Sequence, residues 1–221
     1  MILDNFFKTP ILYLEQPKWI NYVNEIVEDY LIKTKKISIP RVLNRNKEKY
    51  GVEVVKTLKD FGSSYHTESL IDEVKLKIFR SFVLETSEKF LDLQGFDLTN
   101  YDLHFTELWA QEFTKNRGGH HETHIHWNNH VSGFYFLKCS DKTSFPVFED
   151  PRSGAMMTKL PQKDESVSSY SNDKIHYNVK PGDMIFFPSY LPHLFPVDPG
   201  IDDFRFIHFN LQAIEKKIKK L

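Results

Sequence analysis

Between Trp19 and Leu31 apolar side chains return every three or four positions, at Trp19, Val23, Ile26, Val27, Tyr30 and Leu31. That spacing places one stripe on one face of a helix. Pro17 stands where the first turn begins, a position that tolerates its missing N–H. A second stripe, Ile71, Val74, Ile78, Phe82 and Leu91, predicts another helix, with Gly95 after it as a stop. Residues 36–66 mix short apolar pieces with lysine, glycine and serine, and read as loop with one or two weak strands. After Gly95 the period changes: aromatic and β-branched runs arrive about every ten residues, separated by glycine, proline, asparagine and aspartate. The expected strands are Leu103–Phe113, His120–His126, Val131–Lys138, Ser144–Glu149, His176–Val179, Asp183–Phe187 and Phe204–Leu211, with a turn at Pro181-Gly182-Asp183.

Helices followed by short antiparallel strands predict a mainly β fold with supporting α-helices: a double-stranded β-helix, or cupin-like jelly roll, packed against N-terminal helices. At 221 residues the chain suffices for one substantial core. A single domain is expected over 1–221, with a mainly helical part at 1–98, the jelly-roll core at 99–212 and a basic tail at 213–221. Residues 152–173, rich in serine, lysine and methionine, predict a long flexible insertion of the kind that acts as a lid. No internal repeat or low-complexity segment interrupts this plan.

Charge and cysteine content narrow the class. The formal net charge of -1 provides no global attraction for nucleic acid or an anionic membrane, so neither is expected as a partner. No apolar run approaches the roughly 20 residues of a membrane span. The lone cysteine, Cys139, reads as a small core residue. With no secretion pattern at the N-terminus, it leads to the expectation of a cytoplasmic protein.

The chemistry concentrates in one segment, where five of the chain's ten histidines fall within residues 120–130. In a regular strand His120, Glu122, His124 and His126 share a face, and an i, i+2 pair on that face can hold one ion. A third ligand must come from elsewhere. His193 is the candidate, because the run Gly182 to Pro192 is a turn and an apolar strand that could carry it back to the same cavity. Imidazole suits iron, zinc, copper and nickel, and three facial ligands leave positions open for substrate or oxygen. His121 has the opposite parity and His130 follows the Asn128-Asn129 turn, so both are expected beside the ion or exposed, while His66, His104 and His176 read as surface residues. Arg205, inside a very apolar run, needs a partner: either a carboxylate ligand or an internal acid such as Asp183 or Glu149. Tyr135 could add a hydroxyl to the same pocket, or be core.

Taken together, His124-Ile125-His126, Ser132-Gly133-Phe134-Tyr135-Phe136-Leu137, Phe148-Glu149-Asp150-Pro151-Arg152, the run Gly182 to His193, and Arg205 resemble the iron(II)- and 2-oxoglutarate-dependent oxygenases. A closer likeness is to a group of small bacterial and phage-encoded members. The opening Phe7-Lys8-Thr9-Pro10-Ile11 is similar to that group's start. The resemblance implies a dioxygenase that takes Fe(II), 2-oxoglutarate and O2, hydroxylates a small-molecule or peptide substrate, and releases succinate and CO2. It implies His124 and His193 as metal ligands, and Arg205, helped by Tyr135, as the partner of the co-substrate's far carboxylate. The superfamily carries Asp or Glu where this chain has His126. Three arrangements therefore stand: His126 as third ligand, a His120 and Glu122 register that restores a carboxylate, or two protein ligands with an added water. Two other functions stand beside the oxygenase: a cupin-type three-histidine metalloenzyme, dioxygenase or isomerase, without 2-oxoglutarate, and a non-catalytic metal-dependent jelly roll. Arg205 discriminates between the two enzymes, since a vacant anion pocket favours the first and internal pairing the second.

Overall fold

A computed structural model describes residues 7–152, 154 and 160–216. Its elements in chain order are β1 (Leu12–Glu15), α1 (Ile20–Tyr50), α2 (Val52–Leu58), β2 (Ser64–His66), α3 (Lys77–Asp92), β3 (Tyr101–Phe113), β4 (His121–His124), β5 (Val131–Lys138), β6 (Val147–Glu149), β7 (Lys174–His176), β8 (Asp183–Pro188), β9 (His193–Phe195) and β10 (Arg205–Glu215). They form two antiparallel sheets, one ordered β1-β8-β5-β10-β3-β2 and the other β4-β9-β6-β7. This is the jelly-roll arrangement of a mainly β protein with helices preceding the sheets. Among the described residues no helix is long and apolar enough to cross a membrane.

The larger sheet is covered on both sides. Its outer face packs on the helices through Tyr135, Leu137, Ile207, Phe209 and Leu211, which join Val23, Val27 and Leu31 of α1 and Phe79 and Val83 of α3. Its inner face joins a second core, mainly aromatic, that includes Phe134, Phe136, Phe187, Phe195, Phe204 and Phe206. Seven successive residues of β5, Val131 to Leu137, are buried as a result. Gly133 marks the tightest point of this packing. A Cβ there would lie 2.5 Å from the Ile185 carbonyl oxygen and closer still to the Phe209 ring.

Several expectations are corrected. The segment 36–66 is mostly helix, because α1 runs on to Tyr50 and α2 follows it. Straight-chain residues such as Lys, Arg, Leu and Glu favour helix without a buried stripe. Beyond Leu31 the buried residue of α1 is Asn46, whose Nδ2 donates to the carbonyls of Lys59 (3.2 Å) and Phe61 (3.4 Å). The helix ends at Gly51, with φ of 90°. On α3 the buried face is Phe79, Val83, Thr86, Ser87, Phe90 and Leu91; of the expected stripe Leu91 is buried, while Ile78, and Val74 in the turn before the helix, are exposed. Two stripes one residue apart both have helical spacing, and packing against the sheet selected the one centred on Phe79. Strands β1 and β9 lie outside the expected set, and β10 runs to Glu215, past the expected end of the jelly roll at 212. Of the expected lid, residues 153 and 155–159 lie outside the described residues; 160–173 are described and consist of turns and bends without strand or helix.

Candidate metal centre

The turn before β8 is built for a glycine: Gly182 has φ of 97°, and a Cβ on it would meet the Pro17 Cα at 2.8 Å. The Asp183 carboxylate accepts the Lys180 N–H at 2.7 Å and closes the turn. From there β8 runs to Pro188, and the Leu191 N–H bonds to the Pro188 carbonyl at 2.8 Å, reversing the chain. That reversal delivers His193 to the start of β9, paired with His124 on one side and Phe148 on the other.

His124, His126 and His193 each offer a ligand atom within 4.8 Å of the others. His124 Nδ1 donates to the Glu122 carbonyl at 2.7 Å, and His193 Nδ1 donates to the Leu191 carbonyl at 2.9 Å. A ring that donates through Nδ1 keeps the Nε2 lone pair free, the arrangement a metal-binding imidazole needs. Nε2 of His126 stands 3.2 Å from Nε2 of His193. Two ligand nitrogens about 2.1 Å from one ion at right angles lie about 3 Å apart, so this spacing is that of a coordination sphere. Burial pushes His126 down to about 4. It also pushes His193 down to about 3, against the opposing effect of its bond to the Leu191 carbonyl. Both rings are therefore neutral and able to donate at pH 7. Phe187, Phe134 and Phe148 surround His193, with ring centroids 4.7, 5.7 and 6.2 Å away, and keep water from that side of the site.

The alternative register is not supported. A bulge between His121 and His124 shifts the parity of β4, so that His121 and His124 both pair with β9 while His120 and Glu122 are exposed. His120 Nδ1 lies against the Gly118 carbonyl, and Glu122 serves the site only through its backbone oxygen. His121, expected beside the ion or exposed, and His66, expected on the surface, stack on each other at 5.6 Å, and His66 also meets Trp109 at 4.6 Å. His121 Nε2 lies 2.5 Å from Gln111 Nε2. His104, His130 and His176 are exposed.

Arg205 and Tyr135 are likewise corrected. Arg205 donates from Nε to Glu112 at 2.6 Å and from Nη1 to Glu28 at 2.6 Å and Asn24 at 3.2 Å. The Tyr135 hydroxyl donates to the Gln16 carbonyl at 2.8 Å. Both residues belong to the face that meets the helices. Successive side chains alternate across a strand, so Phe206 and His208 face the histidines and Arg205 does not. The internal pairing is of the kind considered from the sequence, with Glu112 and Glu28 in place of Asp183 or Glu149. Among the described residues Arg205 is the one buried Lys or Arg side chain. The donor set thus fits a transition metal, while the residues expected for the far carboxylate of 2-oxoglutarate do not fit it.

Two further residues join the centre without having been expected there. His208 on β10 is fully buried, with its Nε2 3.2 Å from His126 Nε2. Glu107 on β3 completes a second group with His126 and His208.

Residues 107–203 match the model of a family described as Putative 2OG-Fe(II) oxygenase. The match stops short of Arg205 and His208. No curated protein sequence matches the chain. Among solved structures, AviO1 from Streptomyces viridochromogenes Tue57 is similar with a TM-score of 0.57 at 11% identity, over 92% of this chain and 90% of that one. The non-heme alpha-ketoglutarate-dependent epimerase SnoN from nogalamycin biosynthesis, in complex with Fe3+, alpha ketoglutarate and nogalamycin RO, gives 0.50 at 8% identity, over 94% of this chain and 82% of that one. A 2OG-Fe(II) oxygenase-family oxidoreductase from Burkholderia pseudomallei aligns over 52% of this chain and 47% of that one, with a TM-score of 0.36 at 10% identity, so this chain spans about half of that relative. At these identities the likeness is one of fold.

Proposed function

We propose that this chain, whose residues 107–203 match a 2OG-Fe(II) oxygenase family model, hydroxylates a small-molecule or peptide substrate at an iron held by His124, His126 and His193. The observation that carries this reading is the convergence of three imidazoles from two distant segments, two of them fixed by Nδ1 bonds to backbone carbonyls. Iron(II) with 2-oxoglutarate and O2, the family's cofactor set, supplies the oxidation of a C–H bond to an alcohol, with succinate and CO2 as co-products.

The chain's own part is to orient and to exclude. The carbonyls of Glu122 and Leu191 hold two rings in the ligating tautomer, and the phenylalanines around His193 limit water. Phe148, whose ring lies against His193, also lines a cavity of about 670 Å³ together with Leu191, Ile11, Arg152 and Tyr170, and this cavity is the proposed seat of the substrate. Arg152 is tied to Asp150 by two bonds, Nε at 2.9 Å and Nη2 at 2.6 Å. Tyr170 comes from the long insertion, which supports its role as a cover over bound substrate.

Nothing in this account is assigned to Arg205. Its internal pairing favours a second reading, a three-histidine metalloenzyme that uses the same ion without 2-oxoglutarate.

Anaerobic titration with Fe(II) and then 2-oxoglutarate separates the two. A visible charge-transfer band, followed by succinate on admission of air, supports the first reading. Iron retained on dialysis with neither band nor succinate supports the second. A His193→Ala variant that retains iron as well as the parent overturns the ligand assignment that both share.

A further inference from the structure

His126 faces two nitrogens, and neutral imidazoles can satisfy only one such contact with a proton. Its Nε2 is 3.2 Å from His193 Nε2 and 3.2 Å from His208 Nε2. We propose that His126, His208 and Glu107 form a second seat for a transition-metal ion, overlapping the first at His126.

One ligand atom from each of the three lies within 4.8 Å of the others. His208 is 1% exposed, and its ring is held between Trp109, centroids 4.4 Å apart, and His126, centroids 4.6 Å apart. Its Nδ1 is buried without a hydrogen-bond partner. The Glu107 oxygen nearest to it is 3.8 Å away, too far for a hydrogen bond. His208 thus turns its unmet Nδ1 toward Glu107 and its Nε2 toward His126, and an enclosed imidazole with an unmet nitrogen beside a carboxylate is costly unless a cation joins the group through one of its nitrogens. Glu107 is itself positioned, since Asn210 Nδ2 donates to its Oε2 at 2.7 Å and Asn210 Oδ1 accepts from Ser132 Oγ at 2.6 Å.

The two seats differ in charge. His124, His126 and His193 supply three neutral nitrogens, whereas the second seat supplies two imidazoles and a carboxylate, the donor set suited to iron(II) and manganese(II). His126 has one lone pair at Nε2, so it serves one ion at a time and the seats compete.

The experiment is equilibrium dialysis of the full chain with Mn(II) alone and with Co(II) alone, comparing four variants by metal content, with circular dichroism to establish folding. The His124→Ala/His193→Ala double variant keeps one Mn(II) per chain. Glu107→Gln and His208→Gln each weaken Mn(II) binding by about tenfold or more. His126→Ala weakens both metals. Loss of all Mn(II) from the double variant, or unchanged Mn(II) affinity in Glu107→Gln, overturns the second seat; Glu107 is substantially exposed, so its variant provides the test even where His208→Gln does not fold. Failure of the three-histidine assignment appears separately, as Co(II) affinity in the double variant equal to that of the parent.

Discussion

Arg205 and Glu112 sit opposite each other on β10 and β3, joined by a 2.6 Å bond from Nε and a second contact from Nη2, on the side of the sheet turned from the histidines. Glu112 also meets Lys35 from α1, so strand pair and helix are tied through one carboxylate. Removing the guanidinium leaves buried acid without its main partner. Arg205→Ala is expected to destabilise the fold by about 3–5 kcal/mol, measured by denaturant unfolding, while metal affinity stays unchanged. A loss of metal binding with full stability would place the residue in the site instead.

Glu28, the other partner of Arg205, carries a pH signature. The hydrogen bond from Arg205 holds its carboxyl below the ordinary value of 4.5, against burial, which pushes it upward. The folded chain therefore binds this proton less readily than the unfolded chain. Its contribution is fully present above about pH 4.5 and is lost as pH falls through the lower, folded value. Glu28→Gln is expected to flatten the acid limb of stability against pH by lowering stability modestly above about pH 4.5, because this side chain is 46% exposed, while variant and parent converge in acid. An acid limb identical to the parent's counts against the pairing.

Gly133 has no room for a methyl group, and one of the atoms in its way is backbone. Gly133→Ala is expected to cost about 1–3 kcal/mol by overpacking, at the upper end because the Ile185 carbonyl belongs to the paired strand β8. Thermal unfolding measures it. A midpoint within a degree of the parent's would contradict the packing described for β5.

Metal binding is expected to stabilise the folded chain, since the ligands converge only there. At an ion concentration about a hundred times its dissociation constant the gain is about 2.7 kcal/mol. For a chain of this size that raises the unfolding midpoint by about 5–10 °C. A chelator should reverse the shift; a midpoint indifferent to Fe(II) and to chelator would argue against any ion at His124, His126 and His193.

Local rules were enough for much of this molecule. The stripe through Val23, Val27 and Leu31, the full length of β5, and the turn and strand from Gly182 to Pro188 are readable because each depends on residues close together in the chain. The pairing of His124 with His193 was also within reach, since a strand and a reversal lead to it. The direction of Arg205 and Tyr135 was not. β5 and β10 are covered on both faces, so apolar residues fill both parities and the alternation that reveals a strand's inner side is erased. For the same reason His208 gave no signal, although it stands three residues after Arg205 on the opposite face.

The residues of this chain therefore determined the first part of α1, the presence of α3, most of its strands and the kind of donor available for a metal. Which side of each strand those donors and charges face was decided only by tertiary packing. Helices α1 and α3 claim one face of the larger sheet for apolar contact and for the acids that pair Arg205, and a bulge in β4 turns His121 and His124 to the same side. Such choices depend on contacts between segments a hundred or more residues apart, where no local period can register them.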